Sequence, residues 1–269
     1  MYGFLLRPLW IGFHLLVAAG IAVMIGFGFW QLDRLSERRA FNNQVESRID
    51  LPDRDLAELV PAGAAIDPGQ VEWRTVVANG IYLPDEQFVV VNRSQNGRAG
   101  DNVVTPMLLD DGRTLIVNRG FVPLGIDAPE APAGNVAVRG VIRPSQERRT
   151  GQLSDPATGV LAEVQRIDID RLGPQLTGDV IPVYVDLLES SPPEPVGLPE
   201  PVIRPDLSDG PHLSYAVQWF IFAAAVALGW VLAVVRSITK HRHDRTGGAD
   251  PPPSDEPELA RALAGTPEP

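Results

Sequence analysis

The chain has 269 residues, a formal net charge of −11 and no cysteine. The lack of cysteine excludes disulfides, thiolate metal sites, iron–sulfur clusters, covalently attached c-type haem and cysteine nucleophiles. The acidic balance, with no clustered basic face in the sequence, argues against a nucleic-acid partner. About half of the chain is needed for membrane spans and a tail, so the remainder is expected to form one folded domain.

The first long apolar segment runs from Trp10 to Trp30 and contains no fully charged side chain. About 20 such residues are what a helix needs to cross roughly 30 Å of hydrocarbon, so residues 10–30 are predicted to form a transmembrane helix. A cleaved signal peptide is the alternative. Its apolar region would be shorter and followed by small residues, whereas Gln31 and Asp33 follow here.

A helical extension is predicted over residues 31–51, because the apolar rhythm continues through Leu32 and Leu35 until Pro52. The first helix starts almost at Met1 with no Arg-rich and Ser-rich transit segment before it. That pattern favours a bacterial plasma membrane over an organelle.

Residues 71–190 are predicted to form the folded domain, because their pattern changes to a period of two with frequent β-branched residues. The Asp111–Gly112 pair is a strong hairpin signal, and a short helix is expected over Asp168–Leu176. Many strands with short turns favour a mainly antiparallel, α+β sheet, rolled into a barrel-like or sandwich arrangement. The candidate strands are VEWRTVVANGIYL, QFVVVN, DNVVTPMLL, RTLIVNRGFV, NVAVRGVIR, VLAEVQRID and IPVYVDLL.

The C-terminal third contains a second span between two segments of unusual composition. Residues 191–211 are rich in proline and are predicted to return to the membrane in an extended form. Residues 212–235 are predicted to form the second transmembrane helix, since Tyr215 to Val235 is again long and apolar enough to span. The acidic, Pro-rich tail over residues 246–269 is expected to be disordered.

Charges next to the second helix predict that both termini are cytoplasmic and that the large loop is extracytoplasmic. Four basic residues follow this helix and two aspartates precede it: Arg236, Lys240, Arg242, Arg245, Asp206 and Asp209. The charges around the first helix predict the opposite orientation. Three basic residues lie beyond its outer end and one lies inside: Arg34, Arg38, Arg39 and Arg7. The asymmetry around the second helix is the larger one.

Four separated strings resemble one known family. They are GFWQLDR at 28–34, VVTP at 103–106, LIVNRGFVP at 115–123 and HLSYAVQWF at 212–220. In this order, between two spans, they are similar to the Surfeit locus protein 1 family of cytochrome c oxidase assembly factors. The resemblance implies a role in maturing a haem–copper oxidase by holding or delivering haem a. Its expected partners are oxidase subunits, chiefly the haem-bearing catalytic subunit, and membrane lipid.

His212 is the main candidate for a ligand. His212, Tyr215 and Trp219 share one helical face by their spacing. A neutral imidazole there could bind a haem iron axially, with the aromatic rings packing on the macrocycle. The alternative is an interfacial histidine beside an aromatic belt. The resemblance implies the ligand, because bacterial members are linked to haem a through a histidine in this motif.

The outer end of the first helix is expected at the same membrane level as His212. The predicted cofactor site therefore also includes Trp30, Gln31 and Arg34. A haem propionate would seek an arginine. Arg34, Arg74 and Arg119 are the candidates, although a structural charge is the better interpretation of each. The string Asn118-Arg119-Gly120 is expected to end a strand and tie loops together.

The other histidines have simpler interpretations. His14 is about 24 Å along the helix from Trp30, so it cannot bind the same iron as His212. It is expected to face a partner helix or the cytoplasmic headgroups, and a haem near the inner leaflet is the remaining alternative. His241 and His243 are typical of a lipid-headgroup anchor.

Two ridges of small residues are expected to let helices pack closely. They are Ala18, Ala22 and Gly26 on the first helix, and Ala225, Gly229 and Ala233 on the second. Enzyme motifs are lacking, so no catalysis is expected. The alternative to a haem carrier is a haem-free interaction protein that stabilises an oxidase intermediate.

Overall fold

The structure is a computed structural model that describes residues 3–246. The predicted tail, apart from Thr246, lies outside these residues. The chain forms two compact units, one of residues up to Glu37 and from Gly210 onward, the other Arg38–Asp209. The second unit is wider than the predicted domain over residues 71–190. The helices are α1 Pro8–Ile49, α2 Leu56–Leu59, α3 Pro68–Val71, α4 Ile169–Leu172 and α5 His212–Thr246, with 3-10 turns at Gly3–Leu6, Pro84–Glu86 and Gly173–Gln175.

The helices α1 and α5 are both long and apolar enough to cross a membrane. In their most apolar stretches, 0% and 6% of the residues are buried, whereas the core helix of a soluble protein would be mostly covered. Pro8 opens α1 at a first-turn position, where its missing N–H costs nothing. The same helix continues without interruption to Ile49, three residues before Pro52.

One sheet of eight strands forms the second unit. Its order is β1-β2-β6-β8-β5-β4-β3-β7. The strands are β1 Arg54–Asp55, β2 Thr75–Tyr82, β3 Phe88–Gln95, β4 Arg98–Leu109, β5 Arg113–Pro123, β6 Asn135–Pro144, β7 Glu163–Val164 and β8 Asp179–Ser191. The hairpin predicted at Asp111–Gly112 joins the antiparallel strands β4 and β5. The short helix predicted over Asp168–Leu176 is also confirmed. The Asp168 side chain caps α4 by accepting a hydrogen bond from Arg171 N.

The expectation of a mainly antiparallel, barrel-like sheet needs correction. The sheet is mixed, because β1–β2, β3–β7 and β5–β8 are parallel. Parallel neighbours need a long crossover, and residues 56–74, which include α2 and α3, provide it between β1 and β2. The sheet is not a closed barrel: β1 and β7 are its edges, and β2 meets β4 over only three residue pairs.

One predicted strand is mostly absent. In the segment VLAEVQRID only Glu163 and Val164 are paired. The chain then turns inward, and Ile167, Ile169 and Leu172 become part of a buried apolar cluster. Apolar burial in a turn and a short helix therefore produced the same alternation that a strand would show.

Arg119 is a buried structural arginine. Its side chain is 0% exposed and its Nη2 lies 2.5 Å from Glu194. Its two Nη atoms also donate to the Gln87 side chain at 3.1 Å and to the carbonyls of Pro129 and Glu130 at 3.0 and 2.9 Å. Three separate segments are tied to β5 in this way, which confirms the interpretation of Arg119 as scaffold.

Replacing Arg119 with methionine is expected to lower the free energy of unfolding by about 3–5 kcal/mol, because Glu194 and two carbonyls lose their partner in a buried site. Urea denaturation of the full chain in detergent, followed by tryptophan fluorescence, measures the change. Arg54→Met is the control, since Arg54 forms an exposed pair with Glu58 and such pairs contribute little. Equal stability of the two variants would contradict the structural role.

Candidate functional site

The helical unit is an antiparallel pair whose contact face repeats every seven residues. The positions that face the other helix are spaced alternately three and four residues apart on α1, and alternately four and three residues apart on α5. A 3.5-residue repeat is the pattern of two helices that pack along a single seam. We call this face the seam; its residues are His14, Val17, Ile21, Met24, Gly28 and Gln31 on α1, and His212, Ala216, Trp219, Ala223, Val226 and Trp230 on α5.

Gly28 is the point of closest approach. A Cβ atom built there would lie 2.6 Å from the Phe220 ring, so only glycine leaves room for this side chain. Next to it, the Phe27 and Trp219 rings stack with centroids 4.9 Å apart. A glycine and large aromatic residues thus fill the seam on the side toward His212.

The predicted ridges of small residues do not form this contact. A Cβ atom at Gly26 or Gly229 would have nothing within 4 Å, and Ala18 and Ala22 are exposed. The ridges advance by four residues at each step, so they drift around the helix away from a seam that advances by 3.5. Five of the six ridge residues are exposed, whereas Ala233 is partly covered.

Gln31 and His212 meet at one end of the seam. His212 is the first residue of α5 and is half-buried. Its Nδ1 lies 2.9 Å from Gln31 Oε1. Because an amide oxygen only accepts hydrogen bonds, Nδ1 carries the hydrogen. In the neutral imidazole the other ring nitrogen, Nε2, then holds the lone pair that a metal would bind.

The remaining predicted site residues differ in whether they lie in the seam or on an exposed surface. Trp219 lies in the seam two turns further along α5. Tyr215 is 48% exposed and Trp30 is 49% exposed. The Arg34 guanidinium lies over the Trp30 ring, 5.8 Å from its centroid, and pairs with Glu37 at 2.7 Å. The structure thus joins Gln31 to His212, and leaves Tyr215, Trp30 and Arg34 on exposed surfaces.

His14 forms a second polar contact in the seam. The Trp230 indole Nε1 donates to its Nδ1 at 2.9 Å, so the prediction that His14 faces a partner helix is confirmed. Sequence reasoning did not find Trp230. The signal was present, since His14 lies 17 residues before Gln31 and Trp230 lies 18 residues after His212. An antiparallel register that joins one pair therefore joins the other.

The folded unit supplies the other arginines considered for a propionate. Arg119 is occupied by its buried network, and Arg74 donates to the Pro52 carbonyl at 3.3 Å. Within residues 3–246, no group of three or more His, Asp or Glu side chains could hold a metal ion.

Comparison with known proteins agrees with this arrangement. The sequence model of the SURF1 family matches residues 18–224. The chain belongs to the SURF1 family. The matched range includes the complete sheet, Gln31 and His212. The family relationship therefore covers both the folded unit and the polar end of the seam.

Relatives in the family come from bacteria and animals. The SURF1-like protein of Mycobacterium tuberculosis H37Rv is 30% identical over 265 residues, which is 94% of this chain and 93% of the relative. Surfeit locus protein 1 of Takifugu rubripes is 28% identical over 250 residues, 81% of this chain and 95% of the relative. Surfeit locus protein 1 of Rattus norvegicus is 26% identical over 239 residues, 80% and 73% respectively.

The close contact at Gly28 gives a direct test of the seam. Gly28→Leu is expected to push Phe220 aside and lower the stability of the helix pair by about 1–3 kcal/mol, the usual cost of overpacking. Gly26→Leu is the matched control, because its added side chain meets open space. Thermal unfolding of both variants in detergent measures the effect. A larger loss at Gly26 than at Gly28 would show that the helices pack through another face.

Proposed function

We propose that this protein is an assembly factor for a haem–copper cytochrome c oxidase and that His212 holds haem a before its transfer to the catalytic subunit. The SURF1 family is linked to cytochrome c oxidase assembly. The observation that supports the haem step is the hydrogen bond between His212 Nδ1 and Gln31 Oε1. In a neutral imidazole this bond leaves the Nε2 lone pair available to a metal.

The residues present fit a haem ligand. Iron in haem is bound axially by neutral imidazole, and a neutral His212 bonded to Gln31 Oε1 through Nδ1 would keep its Nε2 lone pair for the iron. Trp219 in the seam and Phe27 beside it, with ring centroids 4.9 Å apart, would offer apolar surface. When bound, haem a would supply the iron centre that the oxidase needs for electron transfer and oxygen chemistry.

Gln31 is a positioning residue in this proposal. A histidine that binds a metal usually donates its second N–H to an oxygen, which fixes the tautomer and the orientation of the ring. Gln31 provides that oxygen from the facing helix.

The proposal places α1 and α5 across a bacterial plasma membrane, with both termini cytoplasmic. Large apolar side chains stay exposed along both helices, as lipid contact requires. The basic residues after α5 support a cytoplasmic C-terminus, and the mycobacterial relatives support a bacterial membrane.

Two arginines that argued against this topology have another role. Arg38 donates to the Ser208 carbonyl at 3.0 Å and to that of Asp206. Arg39 pairs with Asp209 at 2.9 Å. Since both tie the end of α1 to the Pro-rich segment within the folded unit, their position has a structural reason that is independent of membrane orientation.

A haem-free interaction protein is the second candidate. Exposed apolar residues on α5, such as Val217, Ile221 and Phe222, suit the helices of an oxidase subunit as well as lipid. The bond between Gln31 and His212 would then be a polar contact that fixes the register of two helices in a membrane. In this case the oxidase subunit is the ligand and no iron is bound.

The two candidates differ in haem content. The full chain purified in detergent from a host that makes haem a is expected to carry it, and His212→Ala is expected to lose it. Gln31→Leu should weaken haem binding about 10–100-fold, as the loss of a supporting hydrogen bond does. His14→Ala is the control and should retain haem. The visible spectrum and extracted haem a per protein measure each variant.

Normal haem a content in His212→Ala would overturn the assignment of the ligand. Oxidase subunits that co-purify with a haem-free wild type would select the second candidate. Loss of haem in His14→Ala alone would place the site at the other end of the seam.

The topology is tested by single cysteines in a chain that has none. Ser94→Cys in the folded unit should react with a membrane-impermeant maleimide in intact spheroplasts, because the loop between helices is outside. Ser254→Cys in the tail should react only after the membrane is opened. The reversed pattern would show that the termini are outside.

A further inference from the structure

Arg143 lines three cavities of the folded unit. An outer cleft of about 780 Å³, an inner chamber of about 190 Å³ and an apolar pocket of about 200 Å³ all include it in their walls. The residues around Arg143 come from adjacent strands. Arg143 on β6 lies opposite Tyr184 on β8, and Asn118 on β5 lies opposite Asp186 on β8. The side chains thus converge from three strands at the centre of the sheet.

The outer cleft is positively charged in an acidic protein. Five arginines and two glutamates line it, a formal charge of +3 in a chain of −11, and one of these arginines, Arg166, also pairs with Asp155 at 3.6 Å behind the wall. The lining charges are Arg93, Arg143, Arg148, Arg149, Arg166, Glu72 and Glu147. Concave surfaces with one sign of charge concentrate ligands of the opposite sign. An anion is therefore the ligand that this cleft favours.

The inner chamber holds polar atoms without partners. Asn118 is 4% exposed. Its Nδ2 donates to Asp186 at 2.7 Å, but its Oδ1 has no hydrogen-bond partner. Arg143 Nη1 is also buried without a hydrogen bond, although Glu72 lies 3.2 Å away. Buried polar groups are almost always satisfied, so this pair indicates a missing ligand or water.

The hydroxyl of Tyr184 adds a donor to the chamber. Burial raises the pKa of Tyr184 to about 12, so the hydroxyl keeps its proton at neutral pH. Gln146 Nε2 donates to its oxygen at 2.8 Å, which leaves the O–H hydrogen for another acceptor. Burial also raises the pKa of Asp186, against the opposing effects of Arg143 and Asn118. Arg143 Nε is 3.7 Å from this carboxylate.

The third cavity is apolar and is bounded by Trp73. The Arg143 guanidinium stacks on the Trp73 ring, 3.6 Å from its centroid, which holds the charge in place. Trp73 has a φ of +69°, a backbone conformation unusual for a large side chain, and its indole Nε1 is buried without a partner. Leu188, Val202 and Ile203 complete the apolar wall.

We propose that this three-part cavity binds a small organic anion. Its carboxylate or phosphate group binds Arg143 and the Tyr184 hydroxyl, a donor group of the ligand meets Asn118 Oδ1, and its apolar part lies against Trp73. Charge-assisted bonds from a planar guanidinium suit both kinds of oxyanion. This site is separate from the seam and does not depend on the haem proposal.

The test is isothermal titration calorimetry of the full chain in an uncharged detergent. Phenyl phosphate and benzoate are the two organic probes and separate phosphate from carboxylate; inorganic phosphate tests the need for an apolar part. Wild type is expected to bind at least one organic probe saturably and more tightly than inorganic phosphate. Arg143→Gln should weaken that binding about tenfold or more, because a charge-assisted contact is lost.

A second variant should change affinity in the opposite direction. Asp186→Asn removes the carboxylate that competes for Arg143 and is expected to tighten binding several-fold. Arg54→Gln is the matched control, since this arginine forms an exposed pair with Glu58 outside all three cavities. A variant that merely loosened the fold would not bind more tightly, so Asp186→Asn remains informative if Arg143→Gln unfolds.

The proposal is overturned if wild type binds neither organic probe saturably, which would leave water as the occupant of the chamber. Equal affinity in wild type and Arg143→Gln, or weaker binding in Asp186→Asn, would also overturn it. Tighter binding of inorganic phosphate than of phenyl phosphate would show that the apolar pocket plays no part.

Discussion

The close approach of α1 and α5 at Gly28 is the contact on which the helical unit depends. With no side chain on one helix, Phe220 of the other fits against the backbone, and the seven-residue repeat then determines which residues face each other. His212 meets Gln31 and His14 meets Trp230 because of this register. The contact between His212, which carries the proposed function, and Gln31 therefore depends on packing elsewhere in the seam.

Two arginines of the folded unit are in contrasting situations, since Arg119 is buried and Arg143 is partly buried. Arg119 is surrounded by a carboxylate, an amide and two carbonyls that match its donors, so its environment is complete. Arg143 has an aromatic surface below it, two imperfectly placed carboxylates and three adjoining cavities. A buried arginine with satisfied donors stabilises a fold, whereas one with open space beside it is suited to binding.

Much of the strand pattern and the hairpin at Asp111–Gly112 could be predicted, because alternation and turn chemistry are local signals. The parallel pairing of β5 with β8 could not, since it depends on how long connections cross the sheet. At the site, the amphipathic face of α5 identified His212 but also included Tyr215, which is exposed. Helical periodicity defines a face to within about 100°, and only the partner helix decides which part of it is covered.

Gln31 is uncharged, and this affects how firmly a histidine can hold a metal. A carboxylate in its place would draw the N–H hydrogen more strongly and make the opposite nitrogen a better electron donor. An amide oxygen orients the ring with a weaker pull. The resulting coordinate bond would be weaker, which would suit the proposed transfer of haem a to another protein.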